Sequence, residues 1–194
     1  LINYKFSKDG PPILSDKPKS ASLEGYLFPD TYRFFKDANL SDIVSKMINN
    51  LDNKLTPDLK TAIKNSPYST YEILTMASLI EKEIPKDSDR PMVAGILWKR
   101  LRAGVPLQVD ATLVYITGRN EIYEADKKIN SPYNTYYYRG LPKGPISNPG
   151  ISAIRATIYP QNSSYWYYLS AKDSTTVFSK TLEEHLRNKA IYLR

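Results

Sequence analysis

The chain has 194 residues, 41% of them hydrophobic and 24% charged, which is typical of one folded domain with at most a small appendage. The absence of cysteine excludes disulfides and thiolate metal sites, and a single histidine disfavours zinc. The net charge of +7 favours an anionic partner, but the basic residues form no dense run, so a solvated basic surface is the simpler interpretation. The 16 tyrosines fit either a sugar-binding groove or half-buried strands.

Targeting and anchoring segments are not visible in this sequence. No apolar run approaches the roughly 20 residues that span a bilayer, and no signal peptide is recognisable. Because the chain begins at Leu1, we expect it to be a fragment from which such a segment has been cut away. Residues 1–22 are rich in proline and are predicted to be an irregular lead-in or the remnant of a preceding module.

Apolar residues at helical spacing predict four helices in the first half of the chain. The clearest start is a capping box, with Ser69 as N-cap and Glu72 three residues later, and Pro85 ends that helix. The four predicted helices cover residues 41–51, a short segment after Thr56-Pro57, residues 70–84 and residues 88–103, the last closed by Gly104.

The second half of the sequence predicts both helices and strands. A short strand is expected at 105–109, then a helix at 111–117 that Asp110 caps and Gly118 ends, although the latter segment also has strand propensity. Residues 130–150 form a long loop of the kind that is usually functional, and a helix follows from Asn148 to about residue 158. A hairpin of residues 165–171 and 175–178 and a last helix capped by Ser179 or Thr181 complete an α+β class, predominantly helical with a small antiparallel sheet.

Several common chemistries are excluded by missing motifs. The chain has no Gly-rich phosphate loop and no Gly-x-Ser-x-Gly elbow, and a serine triad would need His185, which is expected at the surface of the last helix. Carboxylate chemistry remains. On a helical wheel Glu81 falls inside the apolar arc of the third helix, Glu83 falls at its border and Lys82 lies opposite.

A carboxyl group among apolar neighbours is held in its neutral form and can then protonate a leaving oxygen, as glycosidic cleavage requires. Glu81 therefore is a candidate general acid. A glutamate at the edge of a buried helix face more often pairs with a nearby Lys or Arg, and that alternative stays open at this point.

Five blocks resemble the YceG-like (MltG) family of endolytic murein transglycosylases, and they keep the family's order and approximate spacing. They are residues 23–32, 77–83, 107–112, 131–136 and 140–150, so the resemblance covers nearly the whole chain. One departure is Ala111, where the family usually has proline. The resemblance implies that residues 23–194 form a catalytic domain and that residues 1–22 are an irregular lead-in or the remnant of a preceding LysM-like module.

The resemblance also implies a site and a mechanism. The first glutamate of the block ASLIEKE, Glu81, matches the family's catalytic residue. It would protonate the oxygen between N-acetylmuramic acid (MurNAc) and N-acetylglucosamine (GlcNAc) and then, as a base, assist closure of a 1,6-anhydro ring. No cofactor and no metal are expected. The candidate sugar-positioning residues are Gln108, Asp110, Tyr115, Asn134, Thr135, Tyr136 and Asn148. For residues 134–136 a loop stapled by its own hydrogen bonds is an equal alternative.

The resemblance further implies peptidoglycan strands as partner and cell-wall synthases as candidate protein partners, with no nucleic acid. It places the protein outside the cytoplasm, with membrane contact only through one N-terminal helix. Two other functions stay open. A module that binds peptidoglycan without cleaving it would use the same groove. A pyridoxal-phosphate lyase ranks last, because no phosphate cradle is found.

Overall fold

The computed structural model describes residues 11–171, 173 and 175–193. The predicted class is confirmed, since the fold is dominated by helices and adds a two-stranded antiparallel sheet. The helices are α1 (Leu40–Lys54), α2 (Pro57–Lys64), α3 (Thr70–Glu83), α4 (Arg90–Arg102), α5 (Asp110–Thr117), α6 (Ile151–Ile158) and α7 (Leu182–Tyr192), and the strands are β1 (Tyr167–Ser170) and β2 (Thr176–Ser179). Short 3-10 turns lie at Pro12–Leu14 and Asp126–Lys128.

Helix α3 is the central element of the core. All eight residues from position 73 to position 80 are buried, because the helix packs against α4, α5 and α6. Its capping box is confirmed: Ser69 Oγ accepts from the Glu72 backbone N–H at 3.2 Å, and the Glu72 carboxylate accepts from the Ser69 N–H at 2.8 Å. Because the capping box fixes the residue at which α3 begins, it also helps to fix the position of the last residue of the helix, Glu83, at the edge of the core.

Helices α4 and α6 form the wall beside α3. The Trp98 indole N–H donates to the Thr157 carbonyl at 3.0 Å, and Tyr68 stacks on the indole with ring centroids 3.8 Å apart. The contact between α4 and the segment after α6 is so close that a Cβ on Gly95 would lie 1.9 Å from the Gln161 carbonyl oxygen. This close packing keeps the C-terminal half of the domain in a fixed position relative to α3.

Residues 105–109 differ from their prediction, because no strand forms there. Leu107 and Val109 are buried, which explains the alternating pattern, but Gln108 has φ +55°. The Gln108 N–H donates to the Thr135 carbonyl at 3.1 Å, so the segment is pinned to the long loop and not to another strand. Asp110 is also not an N-cap: it is the first residue of α5, whose N-cap is Val109, whereas Gly118 ends the helix at φ +71° as predicted.

The hairpin and α7 form an arm on one side of the domain. The strands pair in the register Tyr167 with Ser179, and Thr181 caps α7 by accepting from the Glu184 N–H at 3.2 Å. The predicted hairpin turn includes residues 172 and 174, which lie outside the described residues. Helix α7 packs on the two strands and buries none of its own residues, so one of its faces is left open.

The predicted lead-in lies only partly within the described residues. Residues 1–10 are outside them, and residues 11–22 are irregular apart from the turn at Pro12–Leu14, in which Ile13 is buried. The expected domain boundary after residue 22 stays a prediction. Among the helices described, none has the length and apolar character that crossing a membrane requires.

Candidate active site

A cleft of about 900 Å³ lies between the C-terminal end of α3, helix α5 and the arm made by the hairpin and α7. The 105–109 segment, the long loop and α4 each contribute side chains to its wall. The polar lining residues include Glu83, Arg100, Gln108, Asp110, Tyr136 and Tyr168.

Glu83 is the last residue of α3 and faces this cleft. Its Oε1 atom accepts a hydrogen bond of 2.7 Å from the Ala111 backbone N–H. Burial raises the pKa of the Glu83 carboxyl from 4.5 to about 7, with a smaller contribution from the negative charge of Asp110, while the Ala111 hydrogen bond acts in the opposite direction. The ion pairs among the described residues do not include Glu83. At neutral pH a substantial fraction of this carboxyl therefore carries a proton.

Asp110 and Tyr136 form a pair beside Glu83. The Tyr136 hydroxyl donates to Asp110 Oδ1. Burial, followed by the charge of Asp110, raises the pKa of the Tyr136 phenol far above its ordinary value, so the phenol keeps its proton. Tyr168 on β1 also stays protonated, because burial and then the charge of Glu83 raise its pKa. Both phenols therefore keep their protons at neutral pH, and the proton of Tyr136 is already donated to Asp110.

Arg100 orients one side of the cleft from α4. Its guanidinium is almost fully buried and donates to the Pro106 carbonyl at 2.6 Å and to the Gln108 side-chain oxygen at 2.5 Å. Its Nη1 also donates to the Trp166 carbonyl at 3.4 Å. These bonds hold Gln108 at the cleft and link the arm to the core.

Glu81 lies outside the cleft, which was not expected. Its Oε1 is 3.4 Å from the Arg90 guanidinium, and its Oε2 accepts from the Gly150 N–H at 3.1 Å. Arg90 is almost buried and also binds the Ile84 carbonyl at 3.0 Å and Asp87 at 2.9 Å. The side chain of Glu81 thus has the ion-paired position that the sequence left open as an alternative, and its role as the general acid stays a prediction.

Four of the seven predicted sugar-positioning residues line the cleft: Gln108, Asp110, Tyr115 and Tyr136. Tyr115 donates its hydroxyl to Glu24 at 2.7 Å, and its ring lies 4.9 Å from that of Tyr133. The sequence prediction thus located part of the wall, although it gave no indication of how these residues are arranged.

The other three predicted positions have structural contacts and do not line the cleft. Asn134 is buried, donates to the carbonyls of residues 126, 127 and 129, and accepts from the N–H groups of Tyr136 and Tyr137. Thr135 is buried and accepts from the Val109 N–H at 3.0 Å. Asn148 accepts from the N–H groups of Gly25 at 2.7 Å and Leu27 at 3.2 Å. Each of these side chains staples a loop, and a role of the three residues in positioning sugar stays a prediction.

Sequence reasoning missed several cleft residues, including Arg100, Tyr168 and His185. Arg100 and Tyr168 lie in correctly predicted elements, but no local signal shows which way they point. His185 was expected at the surface, yet it is half-buried, stacks on Tyr167 at 5.3 Å and lines the cleft. Burial, then the charges of Lys189 and Arg100, lower its pKa. Among the described residues no cluster of His, Asp and Glu is suited to a metal ion.

Comparison with known proteins gives consistent matches. Residues 4–191 match the model of the YceG-like family. The endolytic murein transglycosylase of Bacillus subtilis (strain 168) is 41% identical over 174 residues, covering 88% of this chain and 48% of that protein. The endolytic murein transglycosylase of Streptococcus pneumoniae serotype 2 (strain D39 / NCTC 7466) is 34% identical over 176 residues, covering 87% and 32%.

The fold is similar to a solved structure as well. The crystal structure of the putative yceG-like protein lmo1499 from Listeria monocytogenes superposes with a TM-score of 0.82 at 39% identity, covering 91% of this chain and 58% of that one. The chain thus spans about half the length of the Bacillus relative and about a third of the Streptococcus relative.

Proposed function

Because the chain belongs to the YceG-like family, we propose that it is the glycan-cleaving domain of an endolytic murein transglycosylase, with Glu83 and not Glu81 as its general acid. The observation that supports this assignment is the position of the Glu83 carboxyl, which lines the cleft, accepts from the Ala111 N–H and has no cationic partner among the described residues. Burial at this position raises its pKa to about 7. General acids work best with a pKa near the operating pH.

The proposed reaction begins with proton transfer. The neutral Glu83 carboxyl gives its proton to the oxygen that joins C1 of MurNAc to C4 of GlcNAc, and the C1–O bond breaks through an oxocarbenium-like transition state. The departing GlcNAc gains a 4-hydroxyl group. The Glu83 carboxylate then takes the proton of the muramyl C6 hydroxyl while that oxygen attacks C1. The product is a 1,6-anhydro-MurNAc end, no water is consumed, and Glu83 is again protonated.

The remaining cleft residues would position the sugar. Because the Tyr136 hydroxyl donates to Asp110, the Asp110 carboxylate is fixed and can accept a further hydrogen bond from a sugar hydroxyl or acetamido N–H. Gln108 is held by Arg100 and offers its amide N–H₂. Holding the C6 hydroxyl near C1 favours ring closure over attack by water, because the nucleophile is tethered to the same sugar.

Hydrolysis is a second candidate outcome, favoured by one observation. The charge of Asp110 contributes to the pKa of Glu83, so two carboxyl groups lie near each other in one cleft, and paired carboxyls also serve glycoside hydrolases. The products separate the two reactions. Digestion of purified sacculi followed by muropeptide mass spectrometry should yield 1,6-anhydro ends for the proposed reaction and ordinary reducing ends for hydrolysis.

The same digest tests the non-catalytic alternative. A module that only binds peptidoglycan would sediment with sacculi and leave the muropeptide profile unchanged. Release of shortened strands with anhydro ends would exclude that interpretation. An unchanged profile at saturating binding would instead reject the enzyme proposal for this chain.

Location and partners are proposed on the same basis. A protein that cleaves murein acts outside the cytoplasm, and the curated relatives are named for that substrate. We accordingly propose an extracytoplasmic position, held by an N-terminal membrane anchor, with wall synthases as protein partners and without a role for nucleic acid. Protease treatment of intact spheroplasts should digest the domain, and its protection from the protease would contradict this location.

A further inference from the structure

Positive charge predominates on the wall of the cleft. Four cationic side chains line it, against two carboxyl groups, Glu83 and Asp110. The four cations come from four different parts of the chain, namely Lys82 at the end of α3, Arg100 on α4, Lys127 in the Asp126–Lys128 turn and Lys189 on α7.

Two of these cations are already engaged within the protein. Arg100 donates to backbone carbonyls and to Gln108, and Lys127 forms an ion pair of 2.6 Å with the highly exposed Glu124. Lys82 and Lys189 are exposed, and neither forms a salt bridge with another described residue. Both Lys127 and, to a smaller extent, Lys189 lower the pKa of the Glu124 carboxyl. The negative charge of Glu124 therefore offsets part of the positive charge of Lys189.

Lys82 and Lys189 therefore provide positive charge at two sides of the same cleft. Lys82 directly precedes Glu83, and Lys189 lies one helical turn beyond His185, which also lines the cleft. The lowered pKa of the His185 imidazole, caused by burial and then by Lys189 and Arg100, is consistent with excess positive charge here.

A glycan backbone of alternating amino sugars is neutral and needs no cation for its recognition. The anionic groups of peptidoglycan are the carboxylates of the peptide stems that MurNAc carries. We infer that Lys82 and Lys189 bind these stem carboxylates, so that the cleft selects strands that carry peptides with free carboxylates. This inference rests on the proposed function, because it takes a peptidoglycan strand as the ligand. Exposed ion pairs each contribute little, so the two lysines should act as a modest, salt-sensitive filter.

The test measures binding without cleavage. Glu83→Gln protein is titrated with fluorescent peptidoglycan strands of two kinds, one with free stem carboxylates and one with those carboxylates converted to methyl amides. Lys82→Gln and Lys189→Gln are added to this background together, and Lys64→Gln on α2, an exposed lysine away from the cleft, is the matched control.

The double change should weaken binding of the free-carboxylate strands about tenfold at low salt. It should leave the amidated strands and the Lys64→Gln control unchanged. Equal weakening on both kinds of strand, or no weakening on either, would overturn the inference. Wild-type cleavage is assayed separately: cleavage without charge-dependent binding removes only this inference, whereas a lack of cleavage removes the proposed function.

Discussion

Glu83 and Ala111 are joined by a hydrogen bond of 2.7 Å that links the last residue of α3 to the first turn of α5. The bond uses Oε1 of the carboxyl, and no hydrogen bond from the described residues reaches Oε2. One oxygen is thus fixed and the other is free for substrate. Since α3 is buried along most of its length, the carboxyl is held on a rigid support. A fixed carboxyl with one free oxygen is suited to giving and recovering a proton at a single position.

Activity should depend on pH through the Glu83 proton. Because the pKa of this carboxyl is raised to about 7, the neutral form that starts the reaction declines above that pH. We expect kcat/KM for strand cleavage to fall about tenfold per pH unit at pH 8 and above. Initial rates on soluble strands between pH 5 and 9 provide the measurement. A rate that is flat up to pH 9 would show that a different group donates the proton.

The free energy of unfolding should also depend on pH through the Glu83 carboxyl. Glu83 keeps its proton up to about pH 7 in the folded chain, against an ordinary pKa of 4.5, so the folded state binds more protons between these values. Its contribution to stability is complete below pH 4.5 and is lost as the pH rises through 7, a change of about 3 kcal/mol. Urea unfolding of wild type and Glu83→Gln from pH 4.5 to 8 measures the difference. Parallel curves for the two proteins would contradict the raised pKa.

Glu81→Gln should affect stability more than catalysis. The change removes the negative charge that faces Arg90, whose side chain is only 8% exposed, but keeps an oxygen that can accept from Gly150. Because Arg90 also binds Asp87 and the Ile84 carbonyl, we expect a loss of about 1–2 kcal/mol in unfolding free energy. Activity per folded molecule should stay within about twofold of wild type. Loss of turnover in a folded Glu81→Gln protein would assign the acid to Glu81 after all.

Asn148 should act as a structural residue. Its side-chain oxygen accepts from the backbone N–H groups of Gly25 and Leu27, and alanine would leave both donors without this partner. We expect Asn148→Ala to lower the unfolding free energy by about 2–4 kcal/mol while KM for soluble strands stays unchanged at low temperature. Asn49→Ala, at an exposed position of α1, is the control and should shift stability by less than about 0.5 kcal/mol. A raised KM with normal stability would restore Asn148 to substrate binding.

A substitution of Gly95 tests the close contact between α4 and the segment after α6. A Cβ there would lie 1.9 Å from the Gln161 carbonyl oxygen, which is a backbone atom and cannot swing away. Gly95→Ala should therefore destabilise the fold by about 3 kcal/mol or more. At Gly150 the nearest atom, Glu81 Oε2, is 3.6 Å away, so Gly150→Ala should cost less than about 1 kcal/mol. Thermal unfolding of the two variants side by side gives the answer, and similar melting temperatures would contradict the close approach of the two backbones at Gly95.

The helices were predictable because their signals are local. The capping box at Ser69, the proline after Thr56 and the glycine at 118 each act within a few residues of the end they mark. The strand that was wrongly predicted at 105–109 depends instead on contacts that are distant in sequence. Its alternation reflects burial of Leu107 and Val109, but the partner is the loop at Thr135, which no local pattern reveals.

The proposed catalytic carboxyl was not predictable from the helical wheel. A wheel separates a buried face from an exposed face, yet α3 is buried on nearly every side from position 73 to position 80. The two glutamates of its last turn, Glu81 and Glu83, are therefore distinguished only by what lies beyond the helix end. Arg90 and Gly150 reach Glu81, whereas Ala111, Asp110 and the hairpin surround Glu83. These partners are distant in sequence, and only the tertiary structure brings them together.

The central claim is that Glu83 donates the proton, and two matched variants test it most directly. Glu83→Gln and Glu81→Gln each replace a carboxyl by an amide of nearly the same shape, two positions apart on one helix. Both are checked for folding by circular dichroism and then incubated with sacculi for muropeptide analysis. We predict that folded Glu83→Gln releases no product while Glu81→Gln still does. Full activity in Glu83→Gln would contradict the account.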